Sequence, residues 1–222
     1  MKKKQLAKKS LAVVLSVALL APTSAFAASP SDFSDFPNDW STQAMTEAVE
    51  NGLLGGVTDT TIAPQGKLTR AQMATIINRA FGATAQASLS GYTDVASNAW
   101  YYSDMAKAVQ MGTFVGVGSG RLNPDAEITR EEAFCVLSRA FGIDTASASS
   151  LSRFSDSGDV SSWAAEAVAG MIASGYVGGY DDGGLHPKST ITRAEFAQIF
   201  ANIIGTYICL LYTSPSPRDR TR

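Results

Sequence analysis

The chain has 222 residues, 45% of them hydrophobic and 17% charged, with a formal net charge of −2. Lys2, Lys3, Lys4, Lys8 and Lys9 hide a stronger bias: without residues 1–27 the charge is −7, and without the tail from Leu210 as well it is −9. So acidic a chain does not fit a nucleic-acid binder, which shows a basic stripe. Two Cys make no disulfide framework, and a single His makes no metal centre.

Residues 1–27 read as a secretory signal peptide, with the Lys cluster, an apolar stretch from Leu11 to Ala21, and Ala25-Phe26-Ala27 as a cleavage site. That stretch is too short for a comfortable membrane span. The mature chain is expected to begin at Ala28, to be exported, and to carry no transmembrane segment.

From there the chain repeats itself. A Trp (Trp40, Trp100, Trp163) is followed 12 residues later by a Gly (Gly52, Gly112, Gly175), and 18 residues after that by an Arg (Arg70, Arg130, Arg193). The three copies are spaced by 60 and then 63 residues. We divide the chain into a signal peptide (1–27), repeat 1 (28–82), repeat 2 (83–144), repeat 3 (145–207) and a tail (208–222).

Each repeat opens on an aromatic residue and an Asp: Phe33-Ser34-Asp35, Tyr92-Thr93-Asp94, Phe154-Ser155-Asp156. The Asp is expected to organise a turn by bonding backbone. A short helix follows, from Trp40 to Asn51 and its counterparts, with Trp40, Ala44, Ala48 and Val49 expected on one face. The Ala content implies close helix neighbours, and Gly52, Gly112 and Gly175 are placed to end the helix. A Gly-rich loop comes next. It contains no Gly-Lys-Ser/Thr signature, so nucleotide binding is set aside, and Tyr180 to Gly184 lacks the alternating ligands of a calcium loop.

The second helix of each repeat is announced by Leu68-Thr69-Arg70-Ala71-Gln72, Ile128-Thr129-Arg130-Glu131-Glu132 and Ile191-Thr192-Arg193-Ala194-Glu195. Thr-x-x-Gln/Glu is a capping box. It puts the Arg at the first helical position, where the helix dipole disfavours a cation. Two explanations stand side by side: the guanidinium awaits an anion, or it pairs with a carboxylate of a neighbouring repeat. Behind it, Met73, Ile76 and Ile77, then Phe134 and Leu137, then Phe196, Ile199, Phe200 and Ile203 form apolar stripes that belong to a core. The stripes run to Gly82, Gly142 and Gly205, which are expected to close the helices. Cys135 falls within such a stripe as a small hydrophobe. No nucleophile and base occur once, as an active site requires. The linkers 83–90 and 145–152 are small and polar, and are expected to be mobile.

No repeat can bury its apolar face alone, so three units are expected to share one core. After Gly205 the pattern breaks. The run Thr213 to Arg222, rich in Pro, Ser and Arg, resembles translated sequencing adapter. Residues from about 208 onward are read as foreign, and the native protein as longer.

Taken together, Phe/Tyr-x-Asp, Trp, the Gly-containing loop, Pro64, Pro124 and Pro187, and Ile/Leu-Thr-Arg-Ala/Glu-Glu/Gln resemble the S-layer homology domain, in three tandem copies over about residues 31–206. Gln72 stands where that family usually has Glu, Ile62-Ala63-Pro64 where aromatic-x-Pro is usual, and Val117-Gly118 where Tyr-x-Asp is common. The resemblance implies an all-α fold: helix-loop-helix repeats in a pseudo-threefold spindle around a central three-helix bundle. It implies a non-catalytic module; from the residues no cofactor or metal is expected, and the isolated module is expected to be a monomer. Such a module anchors an exported protein at the cell surface by binding an anionic, often pyruvylated, secondary cell-wall polysaccharide in grooves between repeats. The implied ligand residues are Arg70, Arg130 and Arg193, Trp40, Trp100 and Trp163, and Gly56, Gly116 and Gly179. The alternatives are the anchor portion of a longer enzyme or S-layer protein, and an outer-membrane tether gripping peptidoglycan.

Overall fold

The computed structural model describes residues 28–213, with side chains described through residue 205. The readings of residues 1–27 and 214–222, and of Cys209, lie outside that description. Among the described residues there are six α-helices and no strand longer than an isolated bridge. They are α1 (Thr42–Glu50), α2 (Arg70–Phe81), α3 (Tyr102–Gln110), α4 (Arg130–Phe141), α5 (Ala165–Ala173) and α6 (Arg193–Thr213), so the chain is all-α with two helices per repeat.

The capping boxes form in all three copies. The Thr69 hydroxyl accepts from the Gln72 N–H, and the Gln72 side chain accepts from the Thr69 N–H at 3.0 Å. Thr129 with Glu132, and Thr192 with Glu195, repeat the exchange. Each box satisfies donors that a helix start leaves open, and so fixes α2, α4 and α6 to begin at the Arg.

The segments before these helices join in a closed ring. The Leu68 N–H donates to the Ile191 carbonyl, Ile191 to Ile128, and Ile128 back to Leu68, at 3.3, 3.0 and 2.9 Å. All three side chains are fully buried. The first helical N–H groups continue the exchange, Arg70 donating to Ala126, Arg130 to Ser189 and Arg193 to Gly66. At the other end Phe81 meets Phe141 and Phe141 meets Phe200, ring centroids 5.0 and 5.4 Å apart. Met73, Ile77, Phe134, Leu137, Phe196 and Ile203, all nearly inaccessible, belong to the core between these ends.

The short helices are handed on to a neighbour: α3 packs on α2, α5 on α4, and α1 on α6. Ala106 and Ala108 of α3, and Ala44 and Ala48 of α1, are buried and permit the close approach the composition suggested. Polar clasps reinforce the joints. Asp104 of α3 accepts from Thr75 and Asn78 of α2, and the buried Glu131 of α4 accepts from Ser161 and Lys188 of repeat 3.

Three expectations are corrected. The Trp residues do not join the apolar helix face: Trp40, Trp100 and Trp163 lie in the turns just before α1, α3 and α5 and are 58, 65 and 59% exposed. The inter-repeat linkers are docked rather than loose. Leu89 and Leu151 are buried, and the Ala87 and Ala146 N–H groups donate to the Ala106 and Glu166 carbonyls. One Leu in each otherwise small and polar stretch supplies the anchor. Finally, Gly205 does not end its helix. Gly82 and Gly142 adopt the left-handed conformation, φ 59° and 63°, whereas α6 runs through Gly205 to Thr213. Glycine permits a left-handed cap without compelling one.

Candidate functional site

The motif Arg residues are buried, at 4–6% exposure, and each reaches out of its own repeat. The Arg70 Nε donates to the Leu122 carbonyl of repeat 2 at 2.8 Å, Arg130 to Leu185 of repeat 3 at 2.9 Å, and Arg193 to Ile62 of repeat 1 at 2.8 Å. The receiving loop is held in place by its opening Asp. Asp35 accepts from the Ile62 and Ala63 N–H groups, Asp94 from Leu122 and Asn123, and Asp156 from Leu185 and His186. The Asp therefore bonds backbone, but 27–30 residues along the chain rather than in its own turn as expected. The Ile62 N–H is the chief reason the Asp35 carboxyl sits below its ordinary range.

The site glycines have a steric origin. A Cβ on Gly56 would stand 2.7 Å from the Phe33 ring, and one on Gly179 2.8 Å from the Phe154 ring. The opening aromatic of each repeat plugs the space above its loop, and only Gly leaves room for it. At Gly116 the Tyr92 ring would be 3.2 Å away. What these glycines visibly accommodate is the plug.

The structure brings three of the expected residues, one from each repeat, into one cavity of about 320 Å³. Arg70 of repeat 1, Gly116 of repeat 2 and Trp163 of repeat 3 line it, with Val117, Glu132 and Arg139. Trp163 arrives because α5 packs on α4, which supplies Glu132 and Arg139. Since α3 packs on α2 and α1 on α6 in the same way, the positions equivalent to Trp163 are Trp100 for the Arg193 groove and Trp40 for the Arg130 groove. The Arg193 Nη2 reaches the Gly55 carbonyl, next to Gly56. The Arg130 guanidinium lies 4.6 Å from the centroid of the Tyr180 ring, next to Gly179.

Loss of hydration lowers the pKa values of Arg70 and Arg193 from the ordinary guanidinium range, Glu132 countering this at Arg70 and Asp35 at Arg193. Arg remains charged at any physiological pH, so both are partly dehydrated cations, and Arg70 shares its cavity with the exposed indole of Trp163. Cys135 also borders the cavity, its thiol pushed up to about 11 by burial.

Sequence reasoning left the partners of the Arg residues open. Two of the three form inter-repeat ion pairs, Arg70 with Glu132 at 3.4 Å and Arg130 with Glu195 at 3.2 Å. Tyr180 also escaped notice as a site residue. It stacks on Arg130 and donates its hydroxyl to Glu195. Its signal was available, because Val57, Val117 and Tyr180 follow the site Gly in their repeats and all three are exposed. Among the described residues no cluster of His, Cys, Asp and Glu could hold a metal ion, and no helix is long and apolar enough to cross a membrane.

Comparison with known proteins agrees with the threefold pattern. The family model of the S-layer homology domain matches residues 32–74, 91–134 and 153–197. The chain is 30% identical over 209 residues to the surface-layer 125 kDa protein of Lysinibacillus sphaericus, covering 92% of this chain and 18% of that protein. It is 29% identical to the amylopullulanase of Thermoanaerobacterium thermosulfurigenes, covering 78% of this chain and 9% of the enzyme. It is also 29% identical to S-layer protein sap of Bacillus anthracis, covering 87% of this chain and 24% of that protein. The chain thus spans less than a quarter of the length of each of these relatives.

Proposed function

The chain belongs to the S-layer homology domain family, a family of cell-wall anchoring modules, and on that premise we propose that it anchors an exported protein by binding an anionic secondary cell-wall polysaccharide. It is a cell-surface, cell-wall-associated protein. In our reading the ligand carries pyruvylated sugars, the grooves entered by Arg70, Arg130 and Arg193 are the candidate sites for it, and the module itself is non-catalytic. The observation that carries the reading is the pairing of a buried Arg with an exposed Trp, seen directly for Arg70 and Trp163. A dehydrated guanidinium suits a carboxylate, and an exposed indole face suits the apolar side of a sugar ring. The closed ring of Leu68, Ile128 and Ile191 supports the spindle arrangement and a module that is monomeric by itself. More than one site on a repetitive polymer gains about 10²–10⁴ in avidity over a single one.

The relatives named as surface-layer proteins and as an amylopullulanase match through a small part of their length. The cargo of this module is accordingly proposed to be a lattice-forming or polysaccharide-degrading region carried by the same polypeptide.

The test is co-sedimentation of the full chain with cell-wall sacculi, before and after acid extraction of the secondary polymer. Binding that disappears on extraction supports the proposal, and binding that survives assigns the module to peptidoglycan instead. The matching variant replaces Trp40, Trp100 and Trp163 by Ala. These side chains lie outside the core, so a folded protein that no longer sediments is expected.

A further inference from the structure

The three grooves are built from equivalent positions but differ in what those positions carry. The third helical residue after each cap faces the Arg of the preceding repeat, as the pairs Arg70–Glu132 and Arg130–Glu195 establish. For Arg193 that residue is Gln72. Among the described residues Arg193 makes no ion pair. Its guanidinium is held only by the carbonyls of Ile62 and Gly55. Asp35 lowers the local potential, but its carboxylate oxygens already accept from two backbone N–H groups, and Asp94 does the same beside Arg70.

A second position follows the same order. Arg139 borders the Arg70 cavity from α4. Its counterpart on α2, for the Arg193 groove, is Arg79; on α6, for the Arg130 groove, it is Asn202. The Arg193 groove thus has two cations and no carboxylate at these positions, the Arg70 groove two cations and one carboxylate, and the Arg130 groove one of each. The loop residue completes the series. Tyr180 covers Arg130 with its ring and donates to the same Glu195 that pairs with Arg130, whereas Val57 and Val117 stand at this position in the other two loops.

We propose that the grooves are graded for anions: the Arg193 groove is the principal site for the carboxylate-bearing sugar, the Arg70 groove a weaker second site, and the Arg130 groove a structural clasp that takes no anion. Gln72 and Tyr180 are the residues that set this order. The inference rests on the anion-binding reading above and assigns it unequally among the repeats.

The physical reason is competition. An incoming carboxylate at Arg70 or Arg130 must share the guanidinium with a resident carboxylate of like charge, and at Arg130 must also displace a stacked ring. At Arg193 it meets a cation that lost hydration on folding and has no directly paired carboxylate to share it with, only Asp35 beyond ion-pair distance.

Isothermal titration of the full chain with a methyl glycoside of a pyruvylated amino sugar, and with the same glycoside lacking the ketal, tests this. The wild type is expected to bind the pyruvylated form in two classes, one strong site and one weak. Gln72→Glu supplies the missing carboxylate. It keeps the cap, since Glu132 and Glu195 make the same one, and it is expected to weaken the strong site about tenfold. The reverse change, Glu195→Gln with Tyr180→Val, is expected to add a third site. Gln72→Glu binding as tightly as wild type, or three equal sites in the wild type, would overturn the grading alone. No binding of either glycoside by the wild type would overturn the anion-binding reading and the grading with it.

Discussion

The Arg130 and Arg193 positions began as copies of one element and now stand at opposite ends of its possible uses. Arg130 is closed on every side by protein: the Leu185 carbonyl, the Glu195 carboxylate and the Tyr180 ring. Arg193 has the equivalent backbone bond, to Ile62, and a second to Gly55, but among the described residues it has no paired carboxylate and no ring stacked on it. A guanidinium neutralised within the fold adds stability and has little left for a ligand. One left uncompensated is a weaker clasp and a better receptor. Stability and binding should therefore rank the repeats in opposite orders.

The largest effect expected is on Arg130→Ala. Removing one partner of a buried ion pair leaves the other, here Glu195, desolvated and without its counter-ion, which costs about 3 kcal/mol. Urea unfolding followed by circular dichroism should show this loss, with little change in glycoside affinity of the protein that remains folded. Arg193→Ala should cost less, about 2 kcal/mol, because it strands two carbonyls and no carboxylate, and it should be the more damaging to binding. Equal stability losses at the two positions would erase the distinction drawn between them.

Acid sharpens the comparison. Burial by itself would raise the Glu195 pKa, but the Thr192 N–H, the Tyr180 hydroxyl and Arg130 outweigh it and hold the carboxyl below its ordinary value. A lowered carboxyl pKa gives stability that is whole above the unfolded value, about 4.3, and is lost as pH falls through the lower folded value. Melting temperature should therefore drop with acidification below that point, and drop less in Glu195→Gln. Tyr180→Val removes a stacked ring worth about 1 kcal/mol. The smallest change expected is a gain of about 0.5 kcal/mol in Gln72→Glu, from a new partly exposed pair with Arg193. A variant more stable yet weaker in binding would be the clearest mark of the trade between the two uses.

Much of this was legible in the residues. The capping boxes placed three helix starts correctly because Thr and Gln/Glu three apart bond backbone locally, whatever surrounds them. The apolar stripes of α2, α4 and α6 named the core for the same reason, since periodicity alone decides which face is covered. The exposure of the Trp residues was not legible. An aromatic at the start of an apolar helix pattern reads as core, and only the turn in which it sits turns it outward. Gly205 misled in the opposite sense. Its two counterparts take a left-handed cap, but the residue itself only allows one.

The sequence by itself determined the count of repeats, the all-helical class, the position of every motif Arg at a helix start and, through its likeness to a known family, the kind of surface to look for. Those are local or periodic properties, carried by residues a few positions apart. Tertiary structure alone decided that each Arg serves the loop of the next repeat, that the last returns to the first, and that a groove draws its Arg, Gly and Trp from three different repeats. These contacts join residues as far apart as Arg193 and Gly55, 138 positions along the chain. Repeat spacing shows which positions are equivalent, but it carries no information about which copy packs against which. That choice is made by the closed ring of backbone bonds through Leu68, Ile128 and Ile191, which leaves no repeat to complete a site by itself.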